Sequence, residues 1–152
     1  MELQKTKPIG LLILILLLSV IVGHFLPPVG ILASPIIISI MTGLIVFGKN
    51  GFSILVKSVL SYLFIGLNDI GIKLFAGGIH DFQGMGFMHV FLFIGLIPCF
   101  VMLLITVSRD TASNTWVKVL SILVFILLIY VHLQLFQNLG VDQTRYHIID
   151  TQ

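Results

Sequence analysis

Asp69 and Lys73 stand four residues apart in the long apolar segment Phe52–Phe75, with Asn68 beside them. Ionisable groups inside a membrane segment are costly unless they are paired or wetted, so they mark a functional site by default. Their spacing places a carboxylate and an ammonium on one helix face, where they can pair. Two chemistries fit: an ion pair that orients a bundle, or, with Asn68, a charged lining for a water-filled path.

The other chemistry-bearing residues are scattered along the chain. His80 and Asp81 lie in the run 76–86, which holds four glycines. They could supply a metal ligand or an acid–base partner. A flexible polar loop explains the same residues without chemistry. His24 ends the first apolar stretch and His89 begins the fourth, where a polar side chain reaches water cheaply. Tyr130, Gln134 and Gln137 share a helical stripe, with Asn138 just beyond, and interhelical hydrogen bonding accounts for them without a ligand. His132 points nearly opposite that stripe and is set apart from it. The sequence has no H-E-x-x-H, no G-x-S-x-G, no phosphate-binding glycine loop and no paired cysteines. Cys99 is the only cysteine, which argues against disulfide exchange or a thiolate metal site within this chain. No cofactor is named by any motif.

These residues need elements to position them, and composition says what kind. Hydrophobic residues make up 58% of the 152 and charged residues 9%, against about 25% charged in an ordinary soluble domain. No Lys, Arg, Asp or Glu occurs between Lys7 and Lys49. A helix crossing the hydrocarbon needs about 20 apolar residues. The expected fold is therefore an all-α, polytopic transmembrane helix bundle, with residues 1–152 as a single membrane domain. Its five spans are Ile9–Leu26, Ile31–Phe47, Phe52–Phe75, Phe87–Val107 and Trp116–Phe136. The alternative is four spans, with the polar third segment interfacial or re-entrant. The start resembles a signal peptide but reads as an uncleaved first helix, because no clean A-x-A site follows and more spans do.

The third segment separates by helical angle. Val56, Val59, Leu60, Leu63, Leu67, Ile70 and Leu74 fall on one arc, expected to face lipid. Lys57, Ser58, Ser61, Tyr62, Asn68, Asp69 and Lys73 fall on the other, expected to face helices or a wet cavity. Lys57 and Lys73 are expected to snorkel to opposite membrane surfaces. Ser19 with Gly23, and Ser39 with Gly43, have the small-xxx-small spacing that lets helices approach.

Loop charge sets the expected orientation. With the N-terminus in the cytoplasm, Lys5, Lys7, Lys49, Arg109 and Lys118 all lie inside and Arg145 outside, as the positive-inside bias requires. The expected location is a bacterial inner membrane. The same orientation collects His24, Asn68, Asp69, Lys73, His80, Asp81, His89, Tyr130 and Gln134 at the outer half. The net charge of +2 gives no reason to expect nucleic acid. The expected partners are the bilayer and another membrane protein or a second copy. The leading expectation is a small non-catalytic subunit of a larger membrane assembly. A small membrane enzyme acting on a lipid-soluble or envelope substrate, and a small transporter or ion-conducting oligomer, are the competing ones.

Overall fold

The computed structural model describes residues 3–76 and 82–140. It is an all-helical bundle of five helices in chain order: α1 Leu3–Phe25, α2 Pro27–Phe47, α3 Ile54–Phe75, α4 Phe82–Arg109 and α5 Thr115–Phe136. Four of them, α2 to α5, are long and apolar enough to cross a membrane. The apolar part of α1, Ile9–Phe25, is shorter. The span in doubt is thus the first helix. The third, which the sequence made a candidate for an interfacial or re-entrant segment, is a continuous helix of 22 residues.

Helix ends follow local chemistry. Leu26 alone separates α1 from α2, which opens on Pro27 and Pro28. Proline suits the first helical turn, since its missing N–H would be unpaired there anyway. Gly23 and Gly30 face each other across this joint so closely that a Cβ on Gly30 would strike the Gly23 backbone. Ser53 caps α3 by accepting from the Val56 N–H at 3.4 Å, and Asn114 caps α5 by accepting from Val117 at 2.9 Å. α4 runs through Pro98 without a break. It also begins earlier than the glycine-rich loop reading allowed: Gly84 and Gly86 are helical, while His80 and Asp81 lie outside the described residues.

α3 sits at the centre, packed against all four other helices. Ile38, Met41 and Ile45 of α2 and Cys99 and Leu103 of α4 form much of the buried core with Phe64 and Ile65 of α3. α2 and α4 come close at Gly95, where any Cβ would collide with Ile38 and crowd Pro35. Gly43 touches Met102 of α4. α3 divides along the line its sequence drew: Val56, Val59, Leu63, Leu67 and Leu74 are exposed, while Ser58, Ser61, Asn68, Asp69 and Lys73 are buried.

The connections 48–53 and 110–114 lie side by side, lining one cleft with Lys57, Arg109 and Asp110. Lys49 and Lys118 flank these connections in sequence. The bundle therefore has one basic end. The opposite end carries His24, His89 and the close of α5.

Candidate functional site

The polar half of α3 gathers a single buried cluster. Asp69 and Lys73 are 1% and 0% exposed, and Lys73 Nζ lies 2.7 Å from Asp69 Oδ2. The same carboxylate oxygen accepts from His132 Nε2 on α5 at 2.9 Å. Lys73 Nζ also donates to the Phe136 carbonyl at the end of α5, 3.0 Å away. One turn of α3 is thereby tied to the last turn of α5 through two polar contacts.

Asn68 extends the cluster to the other side. Its amide nitrogen donates to Ser34 Oγ of α2 at 3.1 Å, and its oxygen accepts from Ser19 Oγ of α1 at 2.7 Å. Ser19 and Ser34 sit at matching depths on the two arms of the α1–α2 hairpin. Asn68 and Asp69 are adjacent in sequence, so together they fasten α3 to α1, α2 and α5. Buried polar groups need such partners, because an unpaired one costs roughly 1–3 kcal/mol.

His132 fits against α3 because residue 66 is glycine. A Cβ there would stand 3.2 Å from His132 Nδ1. The Tyr62 ring meets the imidazole edge-on at a centroid distance of 6.0 Å, and Phe136 lies at 5.0 Å. Asp69 Oδ1, His132 Nδ1 and Ser61 Oγ are buried with no hydrogen-bond partner among the described residues.

Basic side chains close three helix C-termini. His24 Nδ1 donates to the Phe75 carbonyl at 2.7 Å, Lys57 Nζ to the Val46 carbonyl at 2.8 Å, and Lys73 to Phe136. The last carbonyls of a helix lack intrahelical partners and carry its negative dipole end, so a cation or ring N–H is the natural cap. This overturns the expectation that Lys73 snorkels to the membrane surface. It turns inward because a carboxylate and a helix terminus both lie within reach. Lys57 is half-buried on its carbonyl.

Of the remaining candidates, only His89 comes within electrostatic reach of Asp69, Lys73 and His132. His24 is exposed and occupied at the α3 terminus. His89 is half-buried well inside α4, not at its start, and lines a cleft of about 420 Å³ between α4 and α5. Tyr130 is 59% exposed, and Gln134 and Gln137 are also exposed. Their stripe faces outward, so it makes no bond across the bundle interior. His132, set apart from that stripe in the sequence, is the α5 residue that reaches α3. A signal for it exists: Ser121, Phe125 and His132 are the buried residues of α5, and at 100° per residue they fall within about 40° of one another. Among the described residues no group of three or more His, Cys, Asp or Glu could hold a metal ion.

Comparison with protein-family models, with characterised proteins and with solved structures finds no match. The functional reading therefore rests on geometry alone.

Proposed function

We propose that this chain is a small, non-catalytic integral membrane subunit of a larger membrane assembly. The observation that carries the reading is the enclosure of the Asp69 cluster. Asn68, Asp69, Lys73 and His132 are each 2% exposed or less, and their contacts join α1, α2, α3 and α5. Groups used in this way hold helices together and leave no room at the charges for a reacting substrate. A second observation favours a partner. Tyr130 lies about 9 Å inside the end of α5, at 1.5 Å per residue, yet is exposed. A hydroxyl facing lipid gains from an interhelical hydrogen bond supplied by another chain.

In this reading all five helices cross a bacterial inner membrane, with the basic end of the bundle in the cytoplasm. The test is purification of the full chain in mild detergent, followed by sizing and identification of bound chains. A discrete complex well above the 16.8 kDa of one chain is expected. A monodisperse monomer at every detergent strength would refute the subunit reading.

A conducting role is the second reading, favoured by the unpartnered Asp69 Oδ1 and His132 Nδ1. Unsatisfied buried polar atoms are what an occluded water or a proton path leaves behind. Liposomes holding the pure chain would show ion- or proton-dependent flux, abolished by Asp69→Asn.

A further inference from the structure

We propose that the seam between α4 and α5 binds one acyl chain of an amphiphile, with an uncharged hydroxyl- or ester-bearing head at its polar end. His89 at this site is within electrostatic reach of the buried Asp69 cluster, and the proposal does not rest on the subunit reading.

The seam holds two depressions in series. One has a volume of about 420 Å³ and presents Gly86, His89 and Phe93 of α4 to Gln134, Gln137 and Asn138 near the end of α5. The other, about 240 Å³, is lined by Leu96 and Phe100 of α4 and Phe125, Ile126 and Ile129 of α5. Phe93 and Leu96 are one turn apart, so the depressions adjoin. The polar one lies where two candidate spans end, at headgroup level. The apolar one lies deeper, at chain level. This order of chemistry is that of an amphiphile standing in a leaflet.

The polar end contains three side-chain amides and no Lys, Arg, Asp or Glu. Amides both donate and accept, so they suit hydroxyl and ester oxygens without demanding a charge. Gly86 widens this end, since a Cβ there would meet nothing within 4 Å. The far end is closed by the stacked rings of Phe100 and Phe125, 6.3 Å apart. From His89 to Phe100 the seam runs about 16 Å at 1.5 Å per residue. An alkyl chain has the right width to lie along it.

The chain has one tryptophan, Trp116, far down α5 and 82% exposed. Trp116→Phe therefore gives a silent background in which Phe93→Trp, or Ile126→Trp should that variant fold poorly, reports on the seam. The full chain in nanodiscs of unlabelled phospholipid is titrated with a monoacylglycerol brominated in mid-chain, and in a second arm with a phospholipid carrying the same chain. Saturable quenching at low mole fraction is expected. Gly86→Leu, which fills open space, should abolish the saturable component. Gln134→Leu with Gln137→Leu should raise the half-saturation point about tenfold. Saturation with the phospholipid alone would overturn the assignment of an uncharged head. Quenching that rises linearly, as at a Leu17→Trp control on the lipid-facing side of α1, would overturn the proposal. So would a photo-crosslink from position 93 to a partner polypeptide.

Discussion

Asp69 Oδ2 serves two donors from two helices, so no single substitution in its cluster is local. Removing Lys73 leaves a buried carboxylate facing only His132. Removing Asp69 leaves an ammonium facing only a carbonyl. Breaking a buried pair from one side typically costs about 3–5 kcal/mol, most of it the penalty of the stranded charge. Lys73→Met and Asp69→Leu should each destabilise the bundle by about that much, read from unfolding of the pure chain in mixed micelles. Exchanging the charges, Asp69→Lys with Lys73→Asp, should restore less than half of the loss. The exchange points a carboxylate at the Phe136 carbonyl, which repels it, and requires His132 to switch tautomer so that Nε2 accepts from the ammonium. Full recovery would mean the pair acts alone and that these contacts carry little energy. At this scale the sequence placed Asn68, Asp69 and Lys73 together on one face of one helix. It did not find Ser19, Ser34 or His132 as their partners, because spacing along one helix says nothing about which neighbour lies opposite. The outward stripe of Tyr130 and Gln134 shows the same limit from the other side: its periodicity was legible, its direction was not.

Helices in this chain are finished by side chains borrowed from elsewhere, and glycines decide how closely they pack. Gly95→Leu should disrupt the α2–α4 contact, because the side chain has to enter space held by Ile38 and Pro35. Overpacking of this kind costs about 1–3 kcal/mol, more where backbone must yield. Gly10→Ala is the matched control. A Cβ there meets nothing, so the exchange should be neutral or stabilise α1 by up to about 1 kcal/mol through helix propensity. Thermal melts of the two variants in one detergent would separate packing from propensity; equal effects would deny the α2–α4 contact its role. The α4–α5 turn supplies a pH test outside the spans. The Ser113 hydroxyl, helped by the Ala112 and Ser113 N–H groups, holds the Asp110 carboxyl below its usual value of 3.8. A depressed carboxyl stabilises the folded turn above its unfolded pKa and loses that contribution as pH falls through the folded value. Amide exchange at Ala112 and Ser113 should therefore quicken, beyond its intrinsic pH dependence, only below about pH 4. Asp110→Asn should flatten that response.

Five apolar stretches, their order and the exposed face of α3 were all legible in the sequence, since hydrocarbon length and helical period are written in composition and spacing. The sequence also placed the doubtful span at α3, on the strength of its charges. The structure moves the doubt to α1, because the charges of α3 turn inward and are neutralised there, whereas the apolar run of α1 is short. At about 1.5 Å per residue, Ile9–Phe25 covers about 25 Å of a hydrocarbon core about 30 Å thick. The α1–α2 joint resists any course that leaves α1 on the surface. Gly23 packs on Gly30, Ile72 and Ala76, and Ser19 binds Asn68 deep in the bundle. An α1 lying flat on the membrane would break both contacts and strand a buried amide. We therefore expect α1 to cross, giving five spans, with the C-terminus on the face opposite the basic end. A paired reporter fused after Gln152, active only outside the cytoplasm in one version and only inside it in the other, decides the matter. Signal from the outside reporter is the expected result. Signal from the inside reporter would return the count to four and require that the Ser19–Asn68 contact be absent in the membrane, which a disulfide-trapping experiment between positions 19 and 68 would then have to bear out.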